Sequence, residues 1–303
     1  MKYRKWDDFK VGCGSIQDVM SRPKNHTNLT VNERNKLDKL LSKENKSAED
    51  LDKIGELNKK IERYINPPLS EACKKYLLSR YAPIKYDTAR LSVFQKRPCV
   101  QKGIDLEQNG IDLVSSVTKV KYKRPKDYSE NEYLVGLCDA ISTDGSTILE
   151  IKTSWSAASF MEARRLDKLA PNHFAQMQGY LNLYNISKGI ICFTLVNTPP
   201  HLIEQEINSL ERKYMMGEIQ SDKYETELQK LENLFDFRNI PKSKRIVTYE
   251  VERSDEYMDA LIKKVNMCRE FLNEFEKKFM RNKKILTSFK DYLSVGTEEE
   301  DNT

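Results

Sequence analysis

Two carboxylates and one amine stand close together in the sequence, at positions where a single β-hairpin would gather them. They are Asp139, Glu150 and Lys152, and the pair Asp144-Gly145 lies between the two acids. An Asp-Gly pair between two apolar segments is typical of a hairpin with a type I′ turn, because glycine tolerates a positive φ. We therefore predict a hairpin whose two strands carry these three side chains.

The predicted strands span 133–142 and 146–152, with the Asp-Gly pair at the centre of the turn. This register places Asp139 directly opposite Glu150, with Cβ atoms about 5 Å apart. Side chains two residues apart on a strand share a face, so Lys152 lies beside Glu150. Facing carboxylates destabilise a sheet unless a cation lies between them, and a hard divalent ion commonly fills this role. The hairpin therefore predicts a metal site with a lysine next to it.

Such a group of side chains suits phosphodiester hydrolysis, which needs an activated water and neutralisation of charge on the phosphate and the leaving oxygen. A divalent ion held by Asp139 and Glu150 would lower the pKa of its water and polarise the phosphate, and a second ion about 4 Å away would stabilise the leaving group. Lys152 is expected either to orient or deprotonate the water, or to stay protonated as a positive clamp. Taken alone, the three residues equally fit a surface hairpin with unrelated charges.

Length and composition limit the class of protein. The chain has 303 residues and a formal net charge of +5, which permits a nucleic-acid partner without requiring one. Six cysteines occur without a C-x-x-C pair, which predicts free thiols in a reducing cytoplasm and no zinc or iron–sulfur site. The longest apolar run, around 189–196, is far shorter than the roughly 20 residues that cross a bilayer. We therefore expect a soluble cytoplasmic protein.

Hydrophobic periodicity predicts the elements around the hairpin. Before it, helices are predicted over 15–21, 32–43, 48–64, 69–81 and 99–117, with Asn32 and Ser47 as caps. After it, we predict helices over 156–167 and 172–185, a strand over 188–197, two helices within 201–236 that reverse near Gly217, a strand over 244–251 and a helix over 254–282. The alternation of helices and strands predicts an α/β fold with a mixed central sheet flanked by helices.

The same pattern divides the chain into five segments. They are an N-terminal helical region packed on the core (1–98), the core that carries the hairpin (99–200), a helical-hairpin insertion (201–238), a C-terminal strand and long helix that complete the domain (239–290) and a disordered acidic tail (291–303). The insertion is expected to pack on its own hydrophobic seam. An oligomer contact or a nucleic-acid clamp is the alternative.

Four sequence elements together resemble one enzyme family. They are Gly103-x-x-x-Glu107 on a predicted helix, Gly-x-x-Asp139, Glu150-x-Lys152, and His173-Phe-Ala-Gln176-Met-Gln178-Gly-Tyr180 after Pro171. In this order and spacing they resemble the PD-(D/E)XK nucleases, and within them the YqaJ-like viral recombinases, the lambda-exonuclease-like group. The resemblance covers about 10–198 and resumes over 239–280. It implies a restriction-endonuclease-like core with N-terminal helices and a helical insertion.

The resemblance also implies a metal site. The implied ligands are Asp139, Glu150, the backbone carbonyl of Ile151, and Glu107 either directly or through water. Oxygen ligands favour Mg²⁺ or Mn²⁺ over zinc. Lys152 is expected at the attacking water. Gly103, one turn before Glu107, is expected to let that helix approach the core closely.

The helix predicted over 172–185 carries further candidates. His173, Gln176 and Tyr180 share one face, and Gln178 points elsewhere. The broader RecB-type nucleases favour Gln176 for the catalytic site, whereas the lambda-exonuclease-like group favours Gln178, so both stay candidates. His173 and Tyr180 are candidate DNA contacts, and His173 equally fits an ordinary residue at a helix start.

A short N-terminal segment, Lys10-Val-Gly-Cys-Gly-Ser15, resembles the part of the family that holds a terminal 5′-phosphate. Backbone amides at a helix start and a serine hydroxyl suit an anion. Lys10 stands where the family has an arginine, and a lysine lacks the bidentate fork. Arg22 is a second candidate for this DNA contact. Ser15 also fits the N-cap of the predicted helix.

The function that the resemblance implies is a divalent-metal-dependent deoxyribonuclease of the phage recombination type, which degrades linear duplex DNA from the 5′ end. A ring-shaped homotrimer, a strand-annealing partner protein and a location in the host-cell cytoplasm are implied with it. Alternatives are an endonuclease or a RecB-type nuclease of the same fold, and a DNA-end-binding protein without catalysis. The chain has no helicase motif, which disfavours the RecB type. The charged positions of the family motif are all occupied, by Glu107, Asp139, Glu150 and Lys152, which disfavours an inactive protein.

Overall fold

The computed structural model describes residues 4–24, 27–88 and 97–280; the predicted acidic tail lies outside them. The strands are β1 (Val11–Gly12), β2 (Tyr122–Lys123), β3 (Ser129–Glu130), β4 (Leu134–Gly136), β5 (Ala140–Ser142), β6 (Thr147–Thr153), β7 (Lys188–Thr194) and β8 (Ile246–Glu252). The helices are α1 (Ile16–Met20), α2 (Val31–Leu41), α3 (Ala48–Ile65), α4 (Glu71–Tyr86), α5 (Pro98–Asp105), α6 (Glu107–Thr118), α7 (Ala157–Arg165), α8 (Pro171–Leu183), α9 (Pro200–Met215), α10 (Ser221–Leu234) and α11 (Asp255–Phe279).

A five-stranded sheet in the order β2-β5-β6-β7-β8 lies at the centre of the fold. β6 and β7 are parallel, and the other neighbouring pairs are antiparallel. A second sheet has the order β1-β4-β3, and α8 contacts strands of both sheets. The predicted α/β fold with a mixed central sheet flanked by helices is confirmed.

The two faces of the central sheet are covered by different helices. Ile148 points to the side of α8 and α11, where it joins a large buried cluster that contains Met177 and Leu261. Leu149 and Ile151 point to the opposite side and pack against α6. Since side chains alternate along a strand, Glu150 and Lys152 lie on the α8 side. The apolar residues of β6 thus fix its orientation, and the two charged residues face α8.

The register of the predicted hairpin is confirmed, but its turn type is wrong. Ala140 pairs with Leu149, as the Asp-Gly pair predicts. The turn is closed by the N–H of Gly145, which donates to the carbonyl of Ser142 at 2.8 Å, and of the turn residues 142–145 only Gly145 has a positive φ, 74°. The central residues are therefore Thr143-Asp144, in place of the Asp-Gly pair of a type I′ turn.

Two predicted elements are each divided in the structure. The strand over 133–142 is split into β4 and β5, which belong to different sheets, so the residues between them form a link. The helix over 99–117 is split at Leu106 into α5 and α6. α5 is fixed by Lys102, a fully buried lysine whose Nζ donates to the carbonyls of Ser154 and Trp155 at 2.9 and 3.0 Å. Burial lowers the pKa of Lys102 to about 8.

The glycine that permits a close helix approach is Gly110, and the prediction of Gly103 is wrong. A Cβ on Gly110 would lie 2.6 Å from Cγ2 of Ile151, whereas a Cβ on Gly103 would meet nothing within 4 Å. We expect Gly110→Ala to lower the free energy of unfolding by about 1–3 kcal/mol, because packed residues must move. Gly103→Ala is the matched control and is expected to raise stability by up to about 1 kcal/mol, since alanine favours helix. Urea unfolding measures both; equal effects would contradict this packing.

The helical hairpin of α9 and α10 reverses at Gly217, whose φ is 72°, as predicted. The rings of Tyr214 and Tyr224 stack across it with centroids 4.9 Å apart. The hairpin connects to the core through Phe235, whose ring meets Trp155 edge-on at 5.1 Å.

One of the two predicted helix caps is found in the structure, and the cysteines are unpaired. Ser47 caps α3, as predicted, but the cap of α2 is Thr30 with Glu33 rather than Asn32. All six cysteines are free. Within the described ranges, no helix combines the length and apolar character needed to cross a membrane.

Candidate active site

Asp139 lies in the link between β4 and β5, directly beside the backbone of β6. Its Oδ2 accepts a hydrogen bond from the N–H of Ile151 at 2.7 Å. The carboxylate thereby continues the pairing of β6 one residue beyond Ala140, where β5 ends. Both backbone groups of one strand residue point to the same side, so the carbonyl of Ile151 is directed toward Asp139 as well.

Glu150, Lys152 and Gln176 form a closed hydrogen-bonded group. Nζ of Lys152 donates to Oε1 of Glu150 at 2.8 Å and to Oε1 of Gln176 at 3.0 Å. Nε2 of Gln176 donates to the same Glu150 oxygen at 2.8 Å and to the hydroxyl of Tyr180 at 3.1 Å. β6 thus supplies the acid and the amine, and α8 supplies the amide that fixes both.

Burial dominates the electrostatics of the two acids. Glu150 is 3% exposed, and burial raises its pKa to about 7, against the opposing charge of Lys152 and together with the charge of Asp139. Burial also raises the pKa of Asp139, opposed by the N–H of Ile151. Oε2 of Glu150 is buried and has no hydrogen-bond partner among the described residues. A bound cation would satisfy this oxygen, as would a proton shared with Asp139.

Glu107 is the first residue of α6 and approaches the same group. Its Oε1 lies 2.6 Å from Nη2 of Arg124. Burial raises the pKa of Glu107, and the charge of Asp139 adds to this effect. In the part of the chain that the structure describes, no three His, Cys, Asp or Glu side chains converge into a metal cluster. Glu107 thus lies at the edge of the site, where it is paired with Arg124.

The donor set nevertheless fits a hard divalent ion. Asp139, Glu150 and the carbonyl of Ile151 offer only oxygen atoms, and Oε2 of Glu150 is buried without a partner. Mg²⁺ in proteins is commonly held by one or two carboxylates and keeps several waters, so a third acidic ligand is not required.

His173 and Tyr180, the predicted DNA contacts on α8, lie in different environments. The ring of His173 meets Phe193 edge-on at 5.6 Å, and burial lowers its pKa to about 4, with the charge of Lys152 adding to this. His173 is therefore neutral at pH 7. Tyr180 is only 6% exposed and its hydroxyl accepts from Gln176, so it supports the site from within the core and offers no surface to DNA.

Gln178 is not brought into the site, which does not fit its predicted catalytic role. The side chain is fully buried, and Nε2 donates to the carbonyl of Glu252 at 2.7 Å. Its Oε1 accepts from the N–H of Ser254 at 2.8 Å. The N–H and the carbonyl of the Gln178 side chain thus join α8 to the junction of β8 and α11.

Substitution of Gln178 is expected to affect mainly stability, and substitution of Gln176 mainly activity. Gln178→Ala is expected to lower the free energy of unfolding by about 1–3 kcal/mol, because a buried N–H and a buried carbonyl lose their partners. Gln176→Ala is expected to have a smaller effect on stability and to lower the rate of the reaction that the site performs, since it releases Glu150 and Lys152. Urea unfolding and activity assays of the two variants measure this. Equal effects of both substitutions on both measurements would contradict the assignment.

The residues predicted to hold a 5′-phosphate each have a separate partner. Lys10 forms an ion pair with Glu130 at 3.2 Å. Nη1 of Arg22 donates to the carbonyl of Tyr64 at 2.8 Å. Ser15 precedes α1, but its side chain forms no capping bond and instead accepts from Nη2 of Arg80 at 3.3 Å. None of these contacts joins Lys10, Ser15 and Arg22 to one another.

Two arginines that contact candidate site residues were not predicted from the sequence. Arg80 contacts Ser15 from α4, 65 positions away in the chain, and no local pattern signals such a contact. Arg124 contacts Glu107 and belongs to a run of basic residues that is visible in the sequence.

Comparisons with known proteins agree on the fold. No protein-family model matches the chain, and no curated protein matches its sequence. A phage-related exonuclease from Haemophilus somnus 129PT superposes with a TM-score of 0.58 at 19% identity, covering 90% of this chain and 97% of that chain. An alkaline exonuclease from Laribacter hongkongensis superposes with a TM-score of 0.52 at 12% identity, covering 91% and 95%. The structure of the Laribacter enzyme in complex with dAMP superposes with a TM-score of 0.51 at 12% identity, covering 89% of this chain and 91% of that chain. The fold expected from the resemblance is confirmed.

Proposed function

We propose that this protein is a divalent-metal-dependent deoxyribonuclease, acting as a phage-type exonuclease that degrades linear duplex DNA from the 5′ end. The observation that carries the proposal is the convergence of Asp139, Glu150, Lys152 and Gln176 at one end of β6, where a buried Glu150 oxygen has no partner among the described residues. The fold shared with two exonucleases, one of them crystallised with dAMP, supports the same class.

Asp139, Glu150 and the carbonyl of Ile151 are the residues that would hold Mg²⁺ or Mn²⁺. The bound ion would lower the pKa of a water and neutralise charge on the phosphate. Oδ2 of Asp139 is engaged by the N–H of Ile151, which leaves Oδ1 for the ion. That hydrogen bond also prevents the acid from rotating, so the carboxylate is oriented before any ligand binds.

Lys152 provides the amine at the reacting centre. Its Nζ donates to Glu150 and Gln176, and the side chain is 25% exposed, so solvent reaches it. From there it can orient a water, or take its proton after losing its own. His173, which is neutral at pH 7, can donate a hydrogen bond to a phosphate oxygen without adding charge.

The proposal is tested with end-labelled linear duplex DNA, with and without a 5′-phosphate, in Mg²⁺ and in EDTA. We expect nucleotides to be released from the 5′ end only in Mg²⁺, and the ratio of the rates on the two ends measures any use of a 5′-phosphate. Absence of metal-dependent cleavage on both substrates would overturn the proposal.

A second digestion separates the exonuclease from an endonuclease or a RecB-type nuclease of the same fold. A covalently closed circular plasmid has no ends, so an exonuclease leaves it intact while it degrades the linearised form. Equal rates of cleavage on the two forms would identify an endonuclease.

A further inference from the structure

A run of basic residues lies beside the candidate active site and has no assigned role. Five of the eight residues in the segment 119–126 are basic and all five are exposed: Lys119, Lys121, Lys123, Arg124 and Lys126. We call this segment the basic strap. Like charges at this density repel one another, and a bound anion relieves the repulsion.

Most of the charge on the basic strap is not neutralised by the protein. Lys119 donates to the carbonyl of Ser116 at 2.9 Å, at the C-terminus of α6. The ammonium groups of Lys121, Lys123 and Lys126 have neither an ion-pair nor a hydrogen-bond partner within residues 4–24, 27–88 and 97–280. Three exposed cations are therefore available to a ligand.

Strand pairing brings the basic strap to the catalytic residues. β2, in the middle of the strap, is antiparallel to β5, with Lys123 opposite Ile141. The strap therefore runs toward Asp139 as its residue numbers rise. Arg124 follows at once and reaches Glu107, 2.6 Å away. The basic strap thus leads toward Glu107 and Asp139.

The register also determines which face of the sheet the strap lysines occupy. Lys123 is opposite Ile141, which in turn is opposite Ile148, and cross-strand partners share a face. Ile148 lies on the same face as Glu150 and Lys152, because side chains alternate along β6. Lys123 therefore points to the face that carries the catalytic group, and Arg124 points to the face of Glu107.

We propose that the basic strap is a phosphate-binding track for the DNA strand that enters the active site, with Arg124 as the strap residue that reaches Glu107. The inference rests on the proposed nuclease function. A phosphodiester backbone presents one negative charge per nucleotide, and a row of unpaired lysines in and beside the edge strand β2 matches such a ligand. The lysines contribute affinity that does not depend on base sequence.

The test measures the salt dependence of duplex binding in EDTA, where cleavage is prevented. The track variant carries Lys121→Gln, Lys123→Gln and Lys126→Gln and leaves Arg124 intact. The control carries Lys36→Gln, Lys39→Gln and Lys59→Gln, three exposed lysines of α2 and α3 that lack ion-pair partners in the described structure. Both variants lose the same net charge, so a difference between them reports position alone.

We expect the track variant to reduce the slope of log K against log salt by about 2–3, because roughly 0.9 counterions are released per phosphate contact. The control is expected to keep the wild-type slope. Replacing the three track lysines by arginine should restore the slope, since the charge is retained.

The outcomes separate this inference from the proposed function. A wild-type protein that cleaves DNA, with a track variant indistinguishable from the control in slope and affinity, would overturn the phosphate track alone. A wild-type protein that neither binds nor cleaves duplex DNA would overturn the nuclease function and the track with it. Circular dichroism melting curves confirm that all variants are folded before binding is compared.

Discussion

Lys152→Ala is expected to lower the rate of DNA cleavage by about 10²–10⁴-fold, the range that a positioned proton-transfer group contributes. The amine donates to Glu150 and to Gln176, and under the proposed function its removal would leave the attacking water without a partner. Duplex binding in EDTA is expected to stay close to the wild-type value, because a single contact is lost from an extended surface. Single-turnover digestion in Mg²⁺ measures the rate.

Two further variants make the Lys152 result specific. Lys168→Ala removes an exposed lysine with the same change in charge and is expected to cleave at the wild-type rate. Lys152→Met keeps the length of the side chain without the amine and is expected to be as slow as Lys152→Ala. Wild-type cleavage in either Lys152 variant would place the chemistry on other residues.

The hairpin register was predictable because two different turns give the same pairing. A two-residue turn with Asp144-Gly145 at its centre and the observed four-residue loop are both symmetric about the same peptide bond. Ala140 therefore faces Leu149 in either case. The turn type was not predictable, because Asp144 accepts from the hydroxyl and the N–H of Ser146, a local arrangement that stabilises the longer loop. Asp139, one residue before Ala140, therefore lies beside β6 with either turn.

The choice between Gln176 and Gln178 required the tertiary structure. Helical periodicity shows that the two residues point in different directions, but it does not show which side of the helix meets β6. That side is set by Met177 and Leu181, which are buried against the sheet and its neighbours. Gln176 then reaches Glu150, and Gln178 turns toward β8 and α11.

The break within the predicted strand 133–142 also depends on distant parts of the chain. β1, more than 120 residues earlier, pairs with β4 in parallel, with Val11 opposite Leu134. Gly136 permits this contact, since a Cβ there would lie 2.7 Å from Sγ of Cys13. The chain must then cross to the central sheet, and Asp139 falls in that link. Periodicity within one segment contains no information on this exchange between sheets.

Asp139→Asn and Glu150→Gln are each expected to abolish the thermal stabilisation that Mg²⁺ or Mn²⁺ gives to the wild-type protein. An ion at 100 times its dissociation constant stabilises the folded state by about 2.7 kcal/mol, which appears as a higher melting temperature. Either substitution replaces a charged oxygen ligand by a neutral amide, and at Glu150 the replaced group includes the buried, unpartnered Oε2. Melting curves with and without the ion measure the effect independently of cleavage, and each variant is compared with its own metal-free curve.

Glu162→Gln is the matched control, because it removes an exposed carboxylate of α7 that pairs only with Arg165 in the described structure. It is expected to keep the full metal-induced rise in melting temperature. If Asp139→Asn and Glu150→Gln also kept it, the ion would bind elsewhere on the protein. The partnerless oxygen of Glu150 would then be no evidence for a metal, and the hydrolysis of DNA would have to be assigned to residues other than this hairpin.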